Sequence, residues 1–138
     1  MSHSRDQESP PCGLLVVDKP VGCSSMDVVR RVRRAAMGTS GGTSGGERVK
    51  TGHAGTLDPL ASGVLVCCLG RATRCVEQLM GLPKVYEAEV DLGAFTASDD
   101  REGQRQEVEV MAPPDRAAVE AVCHSFVGRI KQKPPAFS

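Results

Sequence analysis

One short segment gathers residue types that could carry out chemistry: residues 51–63, with the sequence TGHAGTLDPLASG. It places one histidine, His53, and one carboxylate, Asp58, in a stretch whose three glycines and single proline allow an unusual backbone. Loops of this composition often position functional side chains. A carboxylate surrounded by N–H donors stays ionised and oriented, as a nucleophile or a general base requires. Asp58 is therefore the leading catalytic candidate, with His53 as an acid or base close to it.

The same segment also has a simpler interpretation. An aspartate followed by a proline is typical of a helix N-cap and its first helical residue, so Asp58 and Pro59 also predict the start of a helix. A single histidine in a loop more often packs or forms a hydrogen bond than it catalyses. The residues by themselves leave both roles open for Asp58 and favour the structural one for His53.

A second group of carboxylates lies in the hydrophilic stretch around Asp99 and Asp100, with Glu102 nearby. Paired carboxylates are the groups that cleave glycosidic bonds. Adjacent residues usually point apart, however, so this pairing is only weakly indicated.

Tyr86 is the single tyrosine of the chain and stands in a segment of alternating polarity, KVYEAEVDLG at 84–93. The alternation predicts a strand whose inward face carries Tyr86. An inward tyrosine either fills the core or forms a platform on which a nucleobase stacks.

The elements that must position these residues can be predicted from the rest of the chain. The apolar run at 13–17 predicts a buried strand, followed by a loop that presents Asp18 and Lys19. A helix should follow, with Ser24 or Ser25 as its N-cap. Its 3.6-residue period separates a core face from a basic face that is either solvated or in contact with RNA phosphates. The core face carries Val28, Val29, Val32 and Ala36, and the basic face Arg30, Arg31, Arg33 and Arg34.

Further along, the sequence predicts a strand at 63–70, a short helix ended by Gly81, a strand at 106–112 and a helix from Asp115 to about Gly128. The mixture indicates an α+β fold. Residues 1–11 are predicted to be a disordered tail and 38–46, a Gly-Ser-Thr repeat, a flexible insert.

The amino-acid composition excludes only a few classes of function. The chain has 138 residues, 40% of them apolar, which is enough for one modest core, and its 17 basic and 17 acidic side chains cancel. Six cysteines without paired spacing predict reduced, mostly buried thiols rather than a metal site. The sequence contains neither a membrane-spanning run nor the apolar core of a signal peptide, so a cytoplasmic location is expected.

Four segments carry a resemblance to a known family: GLLVVDKPVGCSS, KTGHAGTLDPLASGVLVCCLGRATR, KVYEAEVDLGAFTASDDREGQ and IKQKPPAFS. They cover about half of the chain, and the second matches the signature around the catalytic aspartate of the TruB pseudouridine synthases at almost every position. The chain therefore resembles that family, and within it the bacterial stand-alone type.

The resemblance implies the α+β catalytic fold of these enzymes, a mostly antiparallel mixed sheet flanked by helices. Residues 12–138 would form its N-terminal portion, incomplete at the C-terminus and without the C-terminal RNA-binding domain. The implied reaction isomerises the uridine at position 55, in the T-loop of tRNA, with neither cofactor nor metal. The protein would act as a monomer, away from membranes.

The resemblance also implies roles for individual residues. Asp58 would be the catalytic carboxylate, and Tyr86 would stack on the target uracil. His53 would fill the space left by the flipped nucleotide, Lys19 would support the pocket, and Asp100 would lie at its side.

Two other hypotheses remain at this stage. Family members carry an arginine that pairs with the aspartate beyond the KPPAFS segment, so a chain ending at Ser138 is expected to be inactive. It could then be a non-catalytic RNA-binding fragment. A hydrolase using Asp58 with Asp99 or Asp100 would instead release free uracil.

Overall fold

A computed structural model describes residues 11–37, 49–98, 100–101 and 103–132. Most of the predicted tail, the whole predicted insert at 38–46, Asp99 and the final segment at 133–138 lie outside the described residues. The chain divides into two compact units, Met1–Val85 and Tyr86–Ser138.

The first unit is built on a three-stranded antiparallel sheet. Its strands are β1 (Gly13–Lys19), β2 (Thr51–His53) and β3 (Gly63–Leu69), in the order β1-β3-β2. The central strand, β3, supplies four buried residues to this unit, and of these Leu65 and Cys67 are almost completely enclosed. The apolar run predicted at 63–70 is thus confirmed as a strand.

The strand predicted at 13–17 is also confirmed as β1, but the prediction that it is buried is wrong. Leu14 and Val16 are 54% and 65% exposed. The physical reason is position: β1 lies at the edge of the sheet, whereas the helix packs mainly over β2 and β3. An apolar run indicates a strand but does not specify whether both of its faces are covered.

That helix, α1, spans Ser25–Ala36 and has the predicted two faces. Val28, Val29 and Val32 are buried against Val49 and Leu65 of the same core. The four arginines are exposed, as expected.

The start of α1 is fixed by a reciprocal pair of hydrogen bonds. Ser24 is the N-cap: its hydroxyl accepts a hydrogen bond from the Asp27 N–H, and the Asp27 carboxylate accepts one from the Ser24 N–H at 3.0 Å. This capping box satisfies two otherwise unpaired N–H groups and holds the pKa of Asp27 below its ordinary value.

After β3 the chain forms a 3-10 helix at Gly70–Cys75 and a short helix, α2, at Val76–Met80 that ends at Gly81 as predicted. The six cysteines are free thiols, but the prediction that most are buried is wrong. Only Cys67 and Cys68 are buried, and burial raises the pKa of both thiols. Cys23 is half-buried and packs against the core, whereas Cys12, Cys75 and Cys123 are exposed.

The second unit contains a short hairpin and a helix. Strands β4 (Ala94–Phe95) and β5 (Gln106–Glu107) pair antiparallel, and α3 spans Arg116–Ser125. The predicted start of α3 is confirmed, because the Asp115 carboxylate accepts a hydrogen bond from the Ala118 N–H at 2.8 Å. The helix ends before Gly128.

The alternating segment at 84–93 is not a strand, and Tyr86 does not point inward. This segment has no regular secondary structure, and Tyr86 is 71% exposed. Alternation supplies the two faces of a strand, but a strand also needs a hydrogen-bonded neighbour. Among the described residues, only Gly93 at the end of this segment accepts a backbone hydrogen bond from another segment, from the Val108 N–H at 2.9 Å. The strand predicted at 106–112 is likewise reduced to the two residues of β5.

The predicted α+β class is confirmed. Every strand pair in the described part of the chain is antiparallel. None of the helices in that part is long and apolar enough to cross a membrane.

Candidate active site

Asp58 lies in the connection between β2 and β3, on a turn rather than at a helix start. The Ala61 N–H donates to the Asp58 carbonyl at 3.1 Å, and Pro59 occupies the second position of the turn, where its fixed φ is favourable. The interpretation of Asp58 as a helix N-cap is therefore wrong: the chain turns back into β3 within five residues. The Asp58 side chain is exposed.

Hydrogen bonds fix the backbone on both sides of Asp58. The hydroxyl of Ser25, the first residue of α1, donates to the Leu57 carbonyl at 3.0 Å and accepts from the Leu57 N–H at 2.9 Å. The Gly22 N–H donates to the Pro59 carbonyl at 2.8 Å. Three consecutive carbonyls, those of Leu57, Asp58 and Pro59, thus each accept a hydrogen bond. The exposed Asp58 carboxylate therefore extends from a backbone that is hydrogen-bonded at residues 57, 58 and 59.

Lys19 shapes the turn that provides the Gly22 contact. Its side chain is completely buried, and its ammonium group donates to the carbonyls of Pro20 and Cys23 at 3.0 and 2.8 Å. Gly22 in the same turn has φ +86°, a conformation that favours glycine. Lys19 therefore supports the Asp58 turn through an intervening turn, and not by an ion pair with the carboxylate.

His53 is half-buried at the end of β2, opposite Cys67 of β3. The prediction that it lies in a loop is wrong, because Thr51–His53 adds a third strand to the sheet. Its Nδ1 atom is buried and has no hydrogen-bond partner among the described residues. The sheet thus fixes the backbone of His53 just before the Asp58 loop begins.

Tyr86 and Asp100 belong to the second unit. The Asp100 carboxylate accepts a hydrogen bond from the Ser98 hydroxyl at 2.7 Å, and its carbonyl accepts one from the Thr96 hydroxyl. Asp100 lines an open cavity of about 800 Å³ together with Arg101 and Arg105. The structure therefore places Lys19, His53 and Asp58 in the first unit, on β1, on β2 and in the connection between β2 and β3, and describes the other two residues in the second unit.

Sequence reasoning missed Gly22 and Ser25. The signal for Ser25 was present: two adjacent serines precede the helix, and only one of them can be its N-cap. Their long-range partners could not be read from local patterns, since Ser25 and Leu57 are 32 residues apart.

No group of three or more histidine, cysteine or acidic side chains in the described ranges is arranged to hold a metal ion.

Comparisons with known proteins agree on one family. The model of the TruB family pseudouridylate synthases, N-terminal domain, matches residues 44–138. The match includes the Asp58 segment and extends to the last residue of the chain.

Curated relatives match almost the whole chain. The tRNA pseudouridine synthase B of Syntrophotalea carbinolica is 48% identical over 126 residues, and that of Thermobifida fusca is also 48% identical over 126 residues; each alignment covers 91% of this chain. The enzyme of the same name from Chlorobium chlorochromatii is 41% identical over 133 residues, or 96% of this chain. The chain spans 38%, 40% and 50% of the length of these three relatives, respectively.

Proposed function

Because the chain belongs to the TruB family of pseudouridylate synthases, we propose that the protein containing it converts a uridine of tRNA to pseudouridine. The target we propose is the T-loop uridine at position 55, and the reaction takes place in the cytoplasm, where tRNA is found. Asp58 supplies the reacting carboxylate. The relatives named tRNA pseudouridine synthase B support the reaction and the class of RNA.

One observation carries the proposal for Asp58. Its carboxylate is exposed, while the backbone at positions 57, 58 and 59 is fixed by hydrogen bonds to Ser25, Ala61 and Gly22. Reacting groups need this combination of access and fixed position, because orientation supplies a large part of the rate.

The chemistry needs one ionised carboxylate. The N1–C1′ bond of uridine breaks, the detached uracil rotates, and C5 bonds to C1′ while the C5 proton is lost and N1 gains one. Asp58 either attacks C1′ or removes the C2′ proton. Both routes require the nucleotide to be flipped out of its loop, which costs a few kcal/mol.

The other candidate residues have supporting roles in this proposal. Tyr86 stacks on the flipped uracil, and its exposed ring is accessible to a base. His53 fills the space that the nucleotide leaves, Lys19 supports the Asp58 turn, and Asp100 lies at the side of the pocket. No metal or cofactor takes part, and the protein acts as a monomer.

The test uses the protein that contains this chain, at the length its gene encodes, with tRNA labelled with tritium at uridine C5. Pseudouridine formation releases the label because C5 exchanges its hydrogen for a bond to C1′. We expect release from one uridine per tRNA, and Asp58→Asn should reduce the rate at least about 10²-fold because the acid–base or nucleophilic group is lost.

Asp18→Asn is a matched control, since it removes the same charge from an exposed position at the end of β1. It should leave the rate unchanged. Binding of tRNA without tritium release would overturn the proposed activity in favour of an RNA-binding protein. Free uracil in place of pseudouridine would indicate hydrolysis.

A further inference from the structure

We propose that Ser25 is a positioning residue for the reaction: its hydroxyl group clamps the backbone of Leu57 and thereby sets the direction in which the Asp58 carboxylate points. This inference rests on the proposed function of Asp58. It assigns a task to a residue that lies 33 positions from the aspartate in the sequence and on a different element.

The contact is enclosed and uses the single donor of the hydroxyl. Ser25 is only 2% exposed. Its Oγ atom donates to the Leu57 carbonyl at 3.0 Å and accepts from the Leu57 N–H at 2.9 Å. A serine hydroxyl has one donor, so no second carbonyl can share it. Both polar groups of the Leu57 backbone therefore depend on this one side chain.

Capping does not explain Ser25. Ser24 already caps α1, with Asp27 as its reciprocal partner. At the first helical position an alanine would serve the helix at least as well as a serine, since alanine has the highest helix propensity. The buried hydroxyl is thus needed by the Asp58 loop and not by the helix that carries it.

The clamp acts at the residue immediately before the aspartate. Leu57 also packs against the apolar core, so its side chain and its backbone are both held. On the other side, Gly22 holds Pro59. Without the Ser25 hydroxyl, the Leu57 N–H and carbonyl lose their partner inside the protein, and the loop must move to reach water. A displacement of about 1 Å at a reacting group costs about 10²-fold in rate.

The experiment compares Ser25→Ala with the neighbouring Ser24→Ala in the full-length protein. The two variants remove the same hydroxyl from adjacent residues, but only Ser25 contacts Leu57. The first measurement is residue-resolved amide exchange without RNA. We expect Ser25→Ala to speed exchange at the Leu57 N–H about tenfold, whereas Ser24→Ala should affect only the first turn of α1, chiefly the Asp27 N–H.

The second measurement is the steady-state rate of tritium release. A positioning role predicts that Ser25→Ala lowers kcat about 10²-fold with little change in KM, because binding is retained and only the orientation of the carboxylate is lost. Ser24→Ala should lower the melting temperature through its lost cap and leave kcat unchanged. Ser25→Thr, which keeps a hydroxyl, should recover most of kcat.

The outcomes separate the two proposals. Unchanged exchange at Leu57 in Ser25→Ala would overturn the clamp, and faster exchange with unchanged kcat would overturn its role in positioning Asp58. If the unaltered protein releases no tritium, the proposed function fails, and with it the positioning role. The amide-exchange measurement at Leu57 would then still show whether Ser25 holds the Leu57 backbone.

Discussion

The two units of this chain differ in what holds them together. The first unit buries apolar side chains between α1 and β3, with Leu65 and Val29 each 1% exposed. The second unit contains apolar residues at strand and helix spacing, but none of its described residues is buried. Leu92 and Phe126, for example, are 54% and 64% exposed.

This difference separates Asp58 and Tyr86, the two residues that we propose act on the uridine. Asp58 stands on a loop whose supports, Gly22, Ser25 and Lys19, all belong to the first unit. Tyr86 is the first residue of the second unit, which has hydrogen bonds and ion pairs but no enclosed apolar cluster among its described residues. Apolar burial is the dominant stabilising contribution in folding. We therefore expect mutation or acid to leave the loop around Asp58 folded under conditions that unfold the surroundings of Tyr86.

The largest effect should come from deleting one leucine side chain in each unit. Leu65→Ala removes a fully buried side chain of β3 and should lower the free energy of unfolding by about 3 kcal/mol, the sum of lost burial and a cavity. Leu92→Ala is the matched variant at an exposed site and should change it by less than about 0.5 kcal/mol. Urea titration, monitored by hydrogen exchange of the β3 amides, measures the free energy of unfolding of both variants.

Equal losses in the two leucine variants would contradict the comparison, since they would mean that Leu92 is as enclosed in solution as Leu65.

A somewhat smaller effect is expected from two glycines with positive φ. At Gly70, φ is +58° and an added Cβ would lie 2.9 Å from the Pro11 carbonyl, so Gly70→Ala combines backbone strain with a clash. We expect a loss of about 2 kcal/mol from the free energy of unfolding. At Gly128, φ is +93° with open space around the Cβ position. Gly128→Ala should cost only the strain, about 1 kcal/mol.

Thermal melting of both glycine variants tests the difference in packing. A larger loss at Gly128 than at Gly70 would show that the second unit is packed there more tightly than its exposure indicates.

The smallest effect concerns pH. The Gly93 N–H and Arg105 hold the pKa of Asp91 below its ordinary value of 3.8, and Ser24 does the same for Asp27. Because folding lowers these pKa values, the stabilisation is present above pH 3.8 and is lost as the pH falls through the lowered value. We expect the β4–β5 hairpin to open in this range, whereas α1 keeps its position through Val28 and Val29.

Amide chemical shifts of Gly93 and Val29 during an acid titration would check this expectation, with Asp91→Asn as the control in which the Gly93 shift is constant. Loss of α1 together with the hairpin would show that the buried valines do not compensate for the cap.

Local signals in the sequence predicted the elements that depend on neighbours along the chain. The cap of α1, predicted at Ser24 or Ser25, the two faces of that helix and the start of α3 at Asp115 follow from interactions within four residues. The strand at His53 and the absence of one around Tyr86 could not be predicted in this way. Both depend on whether a partner strand is available, and that partner comes from a distant part of the chain or is not found among the described residues.

The candidate site shows the same division. The Asp58 segment could be selected from its composition and its family signature, but its turn and its supports could not. Ser25 and Gly22 reach Leu57 and Pro59 across more than 30 residues. Such contacts are set by the packing of α1 against the sheet.

The strand order has a consequence for synthesis on the ribosome. In the order β1-β3-β2, neither β1 nor β2 has a neighbour in the sheet until β3 has been made, because Gly13 pairs with Leu69. The nascent chain must therefore carry an apolar β1 without a partner while the 43 residues between Lys19 and Gly63 are added. Once β3 emerges, the sheet can close in a single step. The strands that flank the Asp58 turn are therefore all synthesised before the second unit, which begins at Tyr86.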